Sequence, residues 1–427
     1  SRGQEMEDRH NTQVTDVGLE EATNSARLSP ALTAALLFLT GAVVYYWSQP
    51  ETKNPFNYFE YLADAILNGR LNIEGAPFYF EELVRSGGKW YAIYPPLPAV
   101  LLLPFVAVWG ISTNQLLLSF LLGGLNVSLV YLTFRRLTDD RELPVWMAML
   151  LGFGTIHWYT ASIGSVWYLA QITSFFFLML AVYFAVARPA PFASGLALGA
   201  SYLSRLTTVL CFPFFAVMLY GRGGGSGPSG RTGFLLRLRP VLIFAVGVAV
   251  FVLVNFLYNY ARFGSPFDVA YSLHTISAAK EKVSPWFDQG LFSLSYVKYH
   301  LYAFILEPPY FLDRWPYVIP SMTGLSLLIT TPAFLLIPLS GLRNRLALAS
   351  WAAIIPTAFL IFIKSGTGWT QFGYRYALDF YPFLLILTFL GTGGRLRWYH
   401  KTLIILSVLV NFWGVLFINK FEWYKLY

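Results

Sequence analysis

The chain is short of the residues that keep a protein in water. Only 12 % of its 427 residues are charged, where a soluble domain carries about 25 %. That shortfall excludes an ordinary water-soluble domain. Cysteine occurs once, as Cys211 in an apolar run, which excludes an intrachain disulfide framework and a cysteine-based metal site. Histidine is scarce too: His157, His274 and His300 are scattered without metal-ligand spacing and read as structural. No Walker motif occurs. Gly223–Gly225 lies in a Gly/Ser stretch rather than between a strand and a helix, so it is not a phosphate loop. Simple internal repeats are also missing.

Apolar residues fill the space left. They make up 56 % of the chain, and the mean hydropathy is +0.53. Runs of about 18 or more apolar residues recur, which is the membrane-spanning signal. The expected class is an all-α polytopic membrane protein. Spans are expected at about 31–48, 113–134, 144–161, 166–187, 241–260, 321–339, 346–363, 377–391 and 402–418. Two shorter ones lie within 191–220 and turn near Ser204-Arg205, giving about eleven. The apolar segment 97–109 is too short to cross and reads as interfacial or re-entrant.

The net charge of +8 follows a positive-inside bias rather than a nucleic-acid signature. Residues 1–29 are polar and mixed in charge. They read as a flexible cytoplasmic segment without a signal-peptide pattern. The stretch 221–240 is rich in Gly and Arg and free of acids, so it reads as a flexible cytoplasmic linker. With the N-terminus cytoplasmic, eleven crossings put the basic links 221–240, 340–345 and 393–401 inside. The loops 49–112, 261–320 and 364–376 then fall outside, with 421–427 as a short outer tail. Residues 30–420 form one transmembrane domain.

The first outer loop carries six acids: Glu51, Glu60, Asp64, Glu74, Glu81 and Glu82. Within it Tyr58–Arg70 has the pattern of an amphipathic helix. Phe59, Leu62, Ala63 and Ile66 share one face, and Glu60, Asp64 and Asn68 the other. Such a helix is expected to lie flat on the membrane. Spacing alone leaves two readings open for the charged residues. Glu51 is a surface acid at a helix end or a catalytic one. Glu60 and Asp64 are a solvated face or a substrate face. Arg375 is a snorkelling anchor or an anion ligand.

The order of features resembles the GT-C glycosyltransferases, closest to the branch of protein O-mannosyltransferases and the lipid A aminoarabinose transferase. The residues that carry the likeness are Pro50-Glu51-Thr52, Tyr61-Leu62-Ala63-Asp64-Ala65, Asn68-Gly69-Arg70-Leu71 and Tyr94-Pro95-Pro96-Leu97. Further along come Tyr258-Asn259, Arg262-Phe263-Gly264-Ser265-Pro266 and Phe372-Gly373-Tyr374-Arg375-Tyr376. The likeness covers about 30–420. It implies a GT-C-like fold with interfacial helices in the first outer loop. It also implies transfer of a sugar from a polyprenyl-phosphate carrier to a lipid, glycan or protein acceptor, on the extracytoplasmic face of the inner membrane. Glu51 occupies the family's place for the catalytic acid, just after the first span, with Asp64 as a second catalytic candidate. An acceptor hydroxyl needs a carboxylate base, and a single displacement inverts the sugar. A leaving phosphate wants Arg or Lys. That role falls to Arg375, shared with Lys364, Arg262 or Arg205. Tyr374, Tyr376, Asp379, Glu60, Tyr94 and Gln371 complete the expected substrate site. A divalent cation is compatible with this chemistry but not required, and no metal ligands are assigned. The competing class is a polyprenyl-lipid or small-solute transporter, which needs polar residues deep in spans or broken helices in matching halves. A non-catalytic scaffold is the third, and it would survive loss of every outer carboxylate.

Overall fold

A computed structural model describes residues 28–52, 54–222, 231–267, 270–273, 288–321, 323–368 and 371–422. The expectations for residues 1–27, for His274 and for 423–427 lie outside that set. The described chain is mostly helical, with two short hairpins. Six helices are long and apolar enough to cross a membrane: Pro30–Trp47, Leu116–Phe134, Val166–Ala187, Thr232–Phe263, Arg345–Phe362 and Trp398–Lys420. This is an all-α, multi-pass membrane architecture.

Helix α1 (Pro30–Trp47) opens where the Ser29 hydroxyl accepts the Leu32 N–H at 3.2 Å, with Pro30 pre-set for the first turn. Leu32, Leu36, Leu39 and Val43 are exposed, while Ala34, Leu37 and Tyr45 are buried. The buried side meets a helix that follows the first long loop. Within that loop stand α2 (Tyr58–Leu67) and a hairpin of β1 (Leu83–Ser86) and β2 (Lys89–Ala92). Val84 lies opposite Tyr91. The hairpin turns on Gly87 and Gly88, both at positive φ, as a tight two-residue turn requires. Then come α3 (Leu97–Trp109) and α4 (Leu116–Phe134).

On α2 the apolar face is as expected: Phe59, Leu62 and Ala63 are fully buried. The acidic face is not. Glu60 is 2 % exposed, and its Oε1 accepts the backbone N–H of Gln115 at 2.6 Å. Gln115 caps α4, so Glu60 satisfies a helix N-terminus instead of facing water.

The expected span at 144–161 is broken into α5 (Leu143–Phe153) and α6 (His157–Ile163). His157 at the break is buried. It bridges the Tyr45 hydroxyl at 3.2 Å and the Asn126 amide at 3.0 Å, which fits its structural reading. Helix α7 (Val166–Val182) follows, with a final π turn to Ala187. The expected pair of short spans is α8 (Pro191–Tyr202) and, after a 3-10 turn at Leu206–Cys211, α9 (Phe212–Leu219). They break at Leu203–Arg205.

Helix α10 (Arg231–Phe263) starts well before the expected 241. Residues 231–240, read as flexible linker, are therefore its first turns. The Arg237 carbonyl there accepts the Gly221 N–H at 3.0 Å. Gly195 on α8 lets it touch α10: a Cβ there would sit 2.0 Å from the Phe244 carbonyl. The segment at 321–339 holds only a helical turn at Leu327–Thr330 and a 3-10 stretch at Pro332–Ser340. Helix α11 (Arg345–Phe362), a 3-10 turn at Arg375–Asp379, α12 (Tyr381–Gly391) and α13 (Trp398–Val415) complete the bundle.

Candidate functional site

Two interruptions of helical structure build the site. One is the break between α8 and α9, which presents Arg205. The other is the 3-10 turn before α12, which presents Arg375, Tyr376 and Asp379. A chain crossing between helices exposes backbone and short side chains at such breaks, so polar groups gather there. Arg205 grips Asp379 with both arms of its fork, Nε to Oδ1 at 2.5 Å and Nη2 to Oδ2 at 2.8 Å. The Thr207 hydroxyl donates to the same carboxylate at 2.6 Å. Asp379 is 1 % exposed, so this bidentate pair is the mechanical tie between the two breaks.

Beside it the Tyr376 ring is the meeting point of three cations. The Arg375 guanidinium lies 5.4 Å from its centroid, the Lys364 ammonium 5.6 Å and the Arg205 guanidinium 5.8 Å. All are within cation–π reach. Tyr376 sits in the connection between α11 and α12, outside either helix. Burial pushes its phenol up, but Lys364, Arg375 and Arg205 outweigh it and leave the pKa below the ordinary value.

Arg375 is the least conventional member. It is 7 % exposed. Its guanidinium rests over Tyr168 at 4.8 Å, and its backbone carbonyl is held by the Gln171 amide at 3.1 Å. Its Nε has no hydrogen-bond partner. Among the described residues no carboxylate pairs with it. The Lys364 ammonium likewise has no carboxylate partner among those residues and donates to the Ser365 carbonyl at 3.4 Å. A buried cation without a counter-charge is costly. Buried Arg375 and half-buried Lys364, both over the Tyr376 ring, make an anion-seeking centre.

His300 braces this centre from below. A backbone carbonyl only accepts, so the 2.8 Å contact to the Lys364 oxygen puts the proton on Nε2. Nδ1 then accepts the Tyr374 hydroxyl at 2.6 Å. The imidazole thus ties the backbone of Lys364 to the residue preceding Arg375. Burial is the main cause of its pKa, which is lowered to about 4, so it stays neutral.

Of the sequence-expected residues, the structure brings together Arg205, Lys364, Tyr374, Arg375, Tyr376 and Asp379. Glu51 lies elsewhere. Its carboxylate pairs with Lys420 at 3.0 Å and its side chain is 66 % exposed. Asp64 is half-buried and faces Arg70 at 3.6 Å. Arg262 is consumed by structure: it donates to the Ala92 carbonyl at 2.7 Å and to Asn259 at 2.6 Å, and stacks on Tyr258 at 3.7 Å. Gln371 is buried and ties the Thr323 and Thr367 carbonyls. Tyr94 is buried against Tyr58 and Phe59, with its hydroxyl unpartnered.

The structure adds residues that spacing did not single out. Trp167 and Tyr168 open α7, and a pair of aromatics at a span end reads as an interfacial belt. The Trp167 indole N–H donates to Glu82 Oε2 at 2.8 Å, while Tyr168 carries Arg375. A groove of about 600 Å³ lies in the first long loop, lined by Asn72, Glu74, Phe78, Lys89 and Trp90 among others; none of the three clustered cations lines it. Among the described residues no cluster of three His, Cys, Asp or Glu side chains is placed to hold a metal. No family model matches the chain, and no curated protein matches it in sequence.

Proposed function

We propose that this protein is a membrane glycosyltransferase with a GT-C-like bundle of about eleven crossings. It moves a sugar from a polyprenyl-phosphate carrier to an acceptor on the extracytoplasmic face of the inner membrane, with inversion. The observation that carries the reading is the buried Arg375, without a carboxylate partner among the described residues, beside Lys364 and Arg205. A phosphate monoester or diester supplies the missing counter-charge. Cations gathered at helix breaks suit a lipid phosphate. Helix α8 has 12 residues, about 18 Å at 1.5 Å per residue. That falls short of a hydrocarbon core of about 30 Å. The turn bearing Arg205 therefore ends part-way through the apolar layer, and the carrier's phosphate reaches it between helices, with its tail alongside them. Tyr376, the half-buried ring of the cluster, offers a surface for a sugar ring. The Arg205–Asp379 tie holds the two breaks in register while charge develops on the leaving phosphate.

One observation favours a transporter instead: a buried ion pair at a helix break is also how substrate pathways are built. The two readings separate on covalent chemistry. The purified protein in nanodiscs is expected to bind polyprenyl phosphate and to release it from a polyprenyl-phosphate sugar when acceptor is present. Movement of intact donor across a bilayer, with no release of free carrier, would select the transporter.

A further inference from the structure

Trp167 and Tyr168 are consecutive residues at the start of α7, and each holds one charged group. The Trp167 indole N–H donates to Glu82 at 2.8 Å. The Tyr168 ring lies 4.8 Å from the Arg375 guanidinium. Consecutive residues of one helix thereby hold a carboxylate and a member of the cation centre. Glu82 is also fixed by its own backbone, whose N–H donates to the Tyr58 hydroxyl at 3.2 Å. The next residue begins β1, locked in register with β2. Three elements thus position this one half-buried acid. Its charge is felt at Tyr376, where it opposes the three cations. Glu51, by contrast, is largely exposed and paired with Lys420.

Resting on the reading of this centre as a polyprenyl-phosphate sugar site, we infer that Glu82, held by Trp167 while the adjacent Tyr168 carries Arg375, is the proton acceptor of the transfer. The acceptor hydroxyl gives its proton to the Glu82 carboxylate as its oxygen bonds to the anomeric carbon. The bond from that carbon to the phosphate oxygen breaks, and its electron pair leaves with the polyprenyl phosphate. The three cations receive that charge. The proton and the electron pair travel to opposite sides of the sugar, so a carboxylate and a cation cluster must stand apart yet adjacent. The Trp167-Tyr168 pair sets that spacing.

The experiment uses the full chain in nanodiscs. Binding is read with polyprenyl phosphate. Turnover is read as carrier released from a panel of polyprenyl-phosphate hexoses and pentoses, with a membrane lipid extract as acceptor. Glu82→Gln keeps the shape, and its amide oxygen still accepts from Trp167, so the fold is preserved. It is expected to lose about 10²-fold or more in turnover while binding polyprenyl phosphate as well as wild type or better. Trp167→Phe is expected to lower kcat by about tenfold with donor KM unchanged, the mark of a positioning residue. Glu82→Gln turning over within about threefold of an active wild type would overturn the assignment and leave the donor reading standing. So would a tenfold loss of carrier binding in that variant, which would make Glu82 part of the donor site's frame. A wild type that neither binds polyprenyl phosphate nor releases it from any donor would overturn both.

Discussion

Arg262 and Arg375 are alike in burial, at 5 % and 7 % exposed, and both lie on aromatic rings. They differ in what the guanidinium meets. Arg262 ends α10 by donating to the Ala92 carbonyl of β2 and to Asn259. It fastens the β1–β2 hairpin to a long helix, and its charge is spent on oxygens already in the fold. Nε is unpartnered in both, but Arg375 lies within reach of two rings, Tyr168 and Tyr376, and no carboxylate pairs with it among the described residues. Aromatic faces hold a cation in place without neutralising it. A structural arginine and a binding arginine are thus told apart by their acceptors, although burial and aromatic company are the same.

The largest effect is expected where a pair is split. Arg205→Ala leaves Asp379 buried with the Thr207 hydroxyl but without its guanidinium. Removing one partner of a buried pair costs about 3–5 kcal/mol, so thermal unfolding in detergent is expected to drop sharply, with donor binding lost as well. Arg262→Ala comes next. It strands the Ala92 carbonyl and Asn259, at about 1–3 kcal/mol, and is expected to lower stability while the folded fraction still binds polyprenyl phosphate. Arg375→Ala should do the reverse: carrier binding weakened by about tenfold or more, with the melting temperature unchanged or raised, because an uncompensated charge is gone. If Arg262→Ala and Arg375→Ala behave alike, the distinction between the two sites fails.

A smaller effect tests the brace under Arg375. His300 is lowered to about 4 by burial, against about 6.5 in the unfolded chain. Between those values the unfolded state binds the extra proton, so stability falls as pH drops from about 6.5 towards 4 and is flat above 7. His300→Gln keeps an amide able to reach the Lys364 carbonyl and is expected to flatten that slope. Melting curves of both proteins across the window read it directly. An unchanged slope in His300→Gln would show that another group titrates there.

Much of this was legible in the residues. Apolar runs marked the long helices, and the break near Ser204-Arg205 followed from the basic links, some of which one long span over 191–220 would have put outside. Arg375 stood out because Tyr374-Arg375-Tyr376 sits at a span mouth. What stayed hidden depended on contacts far apart in sequence. Helical periodicity put Glu60 with Asp64, but it cannot see that Gln115, 55 residues on, brings an N–H in need of an acceptor. That N–H draws Glu60 inward. Glu82 lay in the acidic loop without any periodic signal, because a strand follows it and the hairpin register, not the local sequence, aims it. The same blindness made Arg262 look like Arg375.

The smallest expected effect concerns Glu51, and it bears on where the first loop does its work. Position after the first span and the family likeness favour Glu51 as the base, while geometry favours Glu82. Glu51 makes one ion pair, with Lys420 at 3.0 Å, and its side chain is 66 % exposed. Exposed pairs contribute about 0.2–1 kcal/mol, so Glu51→Gln should barely move the melting temperature. If Glu51 only joins the end of α1 to the end of α13, turnover should also stay within about twofold of wild type, since no interaction made in the transition state is lost. Measured beside Glu82→Gln in one preparation, the pair of variants divides the loop. A dead Glu51→Gln with an active Glu82→Gln would mean that the loop swings Glu51 over the cation centre when donor binds, and would return the catalytic role to the residue next to the first span.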